Sequence, residues 1–251
     1  MHDTVRLEEL GMNVWPALHQ QLCNGWVIRL SNGYTKRANS ASPLYHTDAP
    51  LEAQIARCEQ FYSAQHLPTV IKLTSTHAPA GLDQLLEQRG YHVLDLSSLM
   101  TCDLRHASFE QAEPSALRLD LKIEDWLACY ERLNQISSAH RSAHRAILDN
   151  ILGQRTFCAW EQDGAVVGCG LLVREGEWVC LSDVAVEPQL RGQGIGTRML
   201  ATIMQLGREQ GATYAFLQVI ANNAPAQHIY SRFGFREAYR YWYRVAPFKQ
   251  T

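Results

Sequence analysis

The chain has no paired-cysteine motif. Its seven cysteines, at 23, 58, 102, 129, 158, 169 and 180, include no C-x-x-C pair and no histidine at zinc-finger spacing. They read as reduced thiols, neither a disulfide framework nor a zinc site. No apolar run approaches the ~20 residues that span a bilayer, so no membrane partner is expected. The opening MHDTVRLEELGMN is polar and acidic, where a signal or transit peptide would be basic and then apolar, and a cytoplasmic address is expected. A large excess of either charge is missing too. With 23 Lys plus Arg against 25 Asp plus Glu, the net charge is −2, which gives no global field to draw nucleic acid. His140 and His144 stand at i, i+4 spacing, but no Glu lies between them and no third ligand is evident; no metal is expected there, and a solvated helix or an acceptor-pocket wall is the alternative.

The 251 residues, 46% of them hydrophobic, suffice for one large domain or two of ordinary size. In the first part, Ser31-Asn32-Gly33 between 26–29 and 34–37 predicts a hairpin. Leu51, Ile55, Cys58 and Tyr62 recur at helical spacing. A strand over 69–74, a short helix over 81–89 stopped by Gly90, and strand structure over 91–104 follow. Ala107 to Ser115, polar and holding Pro114, is the expected linker, which divides the chain into 1–106 and 107–251. The second part opens with helix over 117–152, broken near Ser137-Ser138. Asp163-Gly164 and Glu175-Gly176 then separate three antiparallel strands, 156–162, 165–174 and 178–186. Ile195, Met199, Ile203 and Leu206 stripe a helix that ends at Gly211, and a strand over 213–220, a helix over 225–233 and a strand over 235–245 complete the chain. Gly90-Tyr91 and Gly234-Phe235 each follow a short helix and precede a strand, a hint of duplication.

The segment Val184-Ala185-Val186-Glu187-Pro188-Gln189-Leu190-Arg191-Gly192-Gln193-Gly194-Ile195-Gly196 carries a strand through a proline-marked turn into a glycine-rich helix start. Glycines admit close backbone approach, and the free amides of a first helical turn face an anion with the positive end of the dipole. A pyrophosphate fits that description. The spacing G-x-G-x-G is not the dinucleotide fingerprint G-x-G-x-x-G, and the P-loop lysine is missing. A glycine turn that serves packing alone is the other reading.

On these residues the sequence resembles the GNAT superfamily of acyl-CoA-dependent acyltransferases. Arg191, Gly194 and Gly196 fit its R/Q-x-x-G-x-G/A motif, and 223–235 fits N-x-x-A-x-x-x-Y-x-x-x-G-F through Asn223, Ala226, Tyr230, Gly234 and Phe235. The resemblance implies an α/β (α+β) fold, a mixed and mostly antiparallel sheet flanked by helices, preceded by a second, degenerate domain of the same kind. It implies an N-acetyltransferase with acetyl-CoA as co-substrate and an amine-bearing small molecule or protein as acceptor, attacked directly in a ternary complex. A non-catalytic acyl-CoA sensor or assembly module is the alternative.

The resemblance also assigns residues. Val184, Ala185 and Val186 would meet the pantetheine arm, with Val184 and Val186 supplying amides. Arg191, Gly192, Gln193, Gly194, Ile195, Gly196 and Thr197 would hold the pyrophosphate, and Asn223, Ala226 and Tyr230 would close the site. Tyr230 is the proton donor to the departing thiolate, or else packs its helix. Asn223 orders the ligand or caps the helix. For the general base, Cys180 stands where histone-type members place a glutamate, which leaves Asp183 as the carboxylate within the strand, or a water chain. Arg236, Arg240 and Arg244 face one way on the last strand, with Tyr239, Tyr241 and Tyr243 opposite; they meet an anionic acceptor or line a solvent edge. The first part, with Leu86 at the place of Tyr230, resembles the N-terminal half of two-part members, including Gly25-Trp26-Val27-Ile28-Arg29 and Arg37-Ala38-Asn39-Ser40. It is structural, or it forms one wall of the acceptor site.

Overall fold

A computed structural model describes residues 3–247. Within it, seven α-helices, α1 (Thr4–Val14), α2 (Leu51–Ser63), α3 (Leu82–Gln88), α4 (Ile123–Asn134), α5 (Arg141–Asp149), α6 (Ile195–Glu209) and α7 (Ala224–Arg232), flank a single sheet. Its strands are β1 (His19–Cys23), β2 (Trp26–Leu30), β3 (Ala41–Pro43), β4 (Val70–Thr74), β5 (His92–Asp103), β6 (Leu117–Arg118), β7 (Gln154–Gln162), β8 (Ala165–Glu175), β9 (Trp178–Val186), β10 (Tyr214–Ile220) and β11 (Arg236–Val245). The order is β1-β2-β3-β4-β11-β5-β10-β9-β8-β7-β6, antiparallel except at β3/β4 and β9/β10. This is the mixed, mostly antiparallel α+β sheet that the motifs imply.

The meander β7-β8-β9 turns at Asp163-Gly164 and at Gly176, all at positive φ, as turn chemistry requires. The hairpin expected around Ser31-Asn32-Gly33 does not form. The hairpin is β1/β2, turned by Asn24 and Gly25 at positive φ, and residues 31–39 make a loop instead. Asn39 explains the difference. Its Oδ1 accepts the N–H groups of Ser31 at 2.7 Å and Gly33 at 3.0 Å, and its Nδ2 donates to the carbonyls of Tyr34 at 2.7 Å and Thr35 at 3.0 Å. Backbone groups that a strand would have paired are satisfied by one side chain. The helical stretch over 117–152 is likewise shorter than its pattern: β6 pairs with β7 before α4 begins.

The last strand of each part crosses into the other. β11 lies between β4 and β5, and β5 lies between β11 and β10. One face of the sheet buries Leu7, Leu10 and Trp15 from the α1 region together with Trp126, Leu133, Ile147, Tyr241 and Tyr243. The other face buries Met199, Ile203, Phe233 and Phe235 around α6 and α7. The two parts therefore share a continuous core across β5 and β11.

Candidate active site

The site grows out of one irregularity in β9. Leu171 faces Ser182 and Cys169 faces Ala185, so Asp183 and Val184 both stand opposite Gly170. This is a β-bulge with one extra residue on β9. Asp183 takes the left-handed backbone, φ +52°, a conformation that Asp tolerates better than branched residues do. The extra residue reverses the alternation along the strand. Cys180 and Ala185 face the α1 and α4 side, whereas Leu181, Val184 and Val186 face α6. The parallel ladder to β10 ends at Leu181 and Leu217, while β10 stays paired with β5 as far as Ile220. Beyond Leu181 the two parallel strands part.

Asp183 turns away from solvent to His144 on α5, with Nε2 to Oδ2 at 3.0 Å and only 3% and 5% of the two side chains exposed. An ionised carboxylate only accepts, so in that pair His144 donates. The imidazole sits among Trp15, Tyr34, Trp126 and Tyr130, with ring centroids 5.1 to 6.3 Å away. Burial, and then the charge of Asp183, raise the pKa of Tyr34 and of Tyr130, so both phenols stay protonated. A cleft of about 340 Å³ opens beside the bulge, with Arg37, Ser97, Asp183, Gln218 and Tyr241 in its walls. Cys180, at the place of the missing glutamate, is buried, and desolvation pushes its thiol up to about 12. It offers neither a base nor a thiolate.

The α6 face holds the glycine loop. Gly192 and Gly194 have φ of +80° and +79°, and a Cβ built on Gly192 would meet nothing within 4 Å. Backbone conformation demands these glycines; tight packing does not. Gly194 caps α6 without any side-chain bond, and the first helical bonds run from the amides of Thr197 and Arg198 to its carbonyl at 3.1 Å. The amides of Ile195 and Gly196 stand at the helix start without intrahelical partners. Arg191 donates Nε–H to the Val186 carbonyl at 3.1 Å, and Arg198 pairs with Glu113 at 3.2 Å. On α7, Ala226 and Tyr230 pack against the same cluster as Val184 and Val186. Burial pushes the Tyr230 hydroxyl up to about 12. Asn223 caps α7, its Oδ1 accepting the Ala226 amide at 3.3 Å.

The structure thus gathers Val184, Val186, Ala226 and Tyr230 on one face of the parting strands and Asp183 in the cleft on the other. The terminal arginines do not gather. Arg244 is buried against Asp83, with Nε–Oδ1 at 2.8 Å, and Arg240 pairs with Glu237 at 3.1 Å. Sequence reasoning did not assign His144 to Asp183, nor Trp15 and Tyr34 to the shell around His144, nor Arg37 to the cleft. The i, i+4 histidines and the run Arg37-Ala38-Asn39-Ser40 were the available signals. Among the described residues no three His, Cys, Asp or Glu are placed to hold a metal, and no helix is long and apolar enough to cross a membrane.

Parting parallel strands, a bulge on the first of them and a glycine loop opening the next helix define a GNAT-type acyltransferase. The chain belongs to the family described as "Probable histone acetyltransferase Rv0428c C-terminal", whose model matches residues 3–244. It is 26% identical over 251 residues to the "Uncharacterized N-acetyltransferase YobR" of Bacillus subtilis, covering 98% of this chain and 99% of that one. It is 38% identical over 84 residues, 32% of this chain and 44% of the relative, to the streptothricin acetyltransferase of Streptomyces lavendulae. Its fold is that of a GCN5-related N-acetyltransferase from Kribbella flavida, with TM-score 0.72 at 14% identity, covering 99% of this chain and 97% of that one. A tandem GNAT protein from the clavulanic acid biosynthesis pathway superposes with TM-score 0.62 at 14% identity, covering 97% of this chain and 89% of its own.

Proposed function

We propose that the protein transfers acetyl from acetyl-CoA to a primary amine by direct attack in a ternary complex. The observation that carries this reading is the opening between β9 and β10, with a buried carboxylate on one face and a glycine-bordered helix start without a side-chain cap bond on the other. The open edge of β9 at Val184, Ala185 and Val186 suits a pantetheine arm lying as an added strand. The loop amides over 192–196 suit its pyrophosphate, those of Arg191 and Thr197 being donated already to the carbonyls of Pro188 and Gly194, and Ala226 and Tyr230 border the thioester end. The residues present fit the co-substrate. We assign the transfer chemistry to the part over 107–251 and one wall of the cleft to the part over 1–106.

A primary amine, with a pKa near ~10, arrives as an ammonium ion. Asp183 holds that ion and takes one proton from it, which frees the nitrogen lone pair to attack the acetyl carbon. His144, donating to Oδ2, fixes which carboxylate oxygen faces the cleft. Tyr230 is protonated at neutral pH and gives its proton to the departing sulfur as the C–S bond breaks, and the second proton shed by the acylated nitrogen restores the phenol. Asn223 is committed to the cap, so its contribution is to fix where α7 starts and hence where Tyr230 stands.

Acetyl-CoA is expected to raise the melting temperature, and CoA thiol release is expected to require an amine. Stabilisation by acetyl-CoA without thiol release across small amines, amino acids, antibiotics and lysine peptides would contradict transfer and point to an acyl-CoA-binding module.

A further inference from the structure

The cleft contains a cation that the transfer chemistry does not use. Arg37 is carried there by the 31–39 loop, which Asn39 braces through its four hydrogen bonds and which Arg29 anchors by donating Nη1–H to the Arg37 carbonyl at 2.6 Å. Its guanidinium stacks over Trp15, 4.5 Å from the ring centroid. Among the described residues it has no carboxylate within ion-pair distance. The other charged groups in the cleft wall are taken: Lys36 pairs with Asp95 at 2.8 Å, and Asp183 is engaged by His144. In the same wall, Tyr243 is 3% exposed, and its buried hydroxyl has no hydrogen-bond partner among the described residues. The cleft thus presents a guanidinium with no direct carboxylate partner, near Asp183 and an unmet hydroxyl.

We propose that Arg37 receives an oxyanion of the acceptor, so that the substrate is a small molecule pairing a primary amine with a carboxylate or phosphate. This rests on the transfer reading above. The planar guanidinium fork matches either oxyanion, and Asp183, in the same cleft, takes the ammonium end. The anion is not one that CoA itself supplies: Arg37 stands among Trp15, Tyr241 and Tyr243, whereas the glycine loop and α6 lie on the opposite face of the sheet. Burial opposes the charge on Arg37, but Asp183 and the neighbouring phenols outweigh it and raise the guanidinium pKa, so the cation persists. A volume of about 340 Å³ suits a small molecule. A basic peptide would bring further positive charge against Arg37.

The test compares kcat/KM, read as acetyl-CoA-dependent thiol release by the full chain, for matched amines. Lysine and β-alanine are set against cadaverine and propylamine, phosphoethanolamine against ethanolamine, and a lysine-rich peptide is run alongside. An oxyanion-bearing amine is expected to exceed its oxyanion-free match by roughly 10- to 100-fold, the range of a charge-assisted hydrogen bond. The carboxylate and phosphate arms report which oxyanion is read. In Arg37→Met that ratio should collapse to within about threefold of unity, mostly through KM, and Arg37→Lys should restore part of it. The loop is held by backbone groups and Asn39, so both variants should melt close to wild type. Equal rates for matched pairs, a preference for the lysine-rich peptide, or a ratio that survives in Arg37→Met would each overturn the proposal while leaving transfer intact. Acetyl-CoA binding with no thiol release from any amine would instead sink the transfer reading and this proposal with it.

Discussion

Nε2 of His144 on α5 lies 3.0 Å from Oδ2 of Asp183 on β9, across 39 residues of chain. A carboxylate this buried is costly without a donor, and the pair pins the bulge to the helix above it. Asp183→Asn should therefore lower kcat by ~10²- to 10⁴-fold, the usual range for a general base. Calorimetry should show acetyl-CoA affinity within a few-fold of wild type. A variant that retains wild-type turnover would remove Asp183 from the base role.

His144 acts through Asp183 and not on the substrate. His144→Phe should lower kcat, though less than Asp183→Asn does, because the carboxylate loses its donor. His144→Gln, which keeps an N–H, should recover part of the activity. A fall in stability with no recovery of kcat in His144→Gln would mark His144 as a packing residue only.

Tyr230→Phe removes the proposed acid while keeping the ring against Phe235, 5.9 Å between centroids. In a chemistry-limited assay kcat should fall by ~10²-fold, with acetyl-CoA binding preserved. Unchanged turnover would return Tyr230 to a packing role.

Gly194→Val places a branched residue at φ +79°, at a cost of about 1–2 kcal/mol from backbone conformation. Because the nearest atom to the new Cβ is the Arg198 Nη1, 3.4 Å away, the fold should survive with a lower Tm. CoA binding should weaken markedly and pantetheine binding comparatively little. Equal losses for the two ligands would place the damage outside the phosphate contact.

Alkaline stability follows from the buried phenols. Burial raises Tyr230 and Tyr241 to about 12 in the folded chain, against ~10 for a free phenol. The folded state then holds protons that the unfolded state releases. This contribution is complete below the unfolded value and is lost as pH rises from ~10 towards about 12. Circular dichroism and tyrosinate absorbance, followed together, should show unfolding and phenol ionisation rising in that window. Tyrosinate formation in a chain that stays folded would contradict it.

The second part was legible because its signals are local. Asp163-Gly164 and Glu175-Gly176 turn the meander, and the Ile195–Leu206 stripe marks α6. The loop over 31–39 was misread because Asn39 satisfies it from several residues away, which no turn dipeptide announces. The crossing of β5 and β11 was hidden for a similar reason: Val245 meets His92 and Val70, far away in sequence. At the candidate site, the motifs pointed to Gly194, Tyr230 and Val184. They could not reveal that Asp183 takes a left-handed backbone and points to His144, because bulge and partner belong to tertiary pairing. Asn223 caps α7, one of the two roles its place in the motif left open.

The account depends most on where acetyl-CoA lies. Hydrogen exchange of the full chain with and without acetyl-CoA tests this directly. The predicted result is slowed exchange at amides over 182–186 and 191–197, with β1 to β4 unchanged. Protection confined to the first part, or none at the open edge of β9 under saturating acetyl-CoA, would contradict the account.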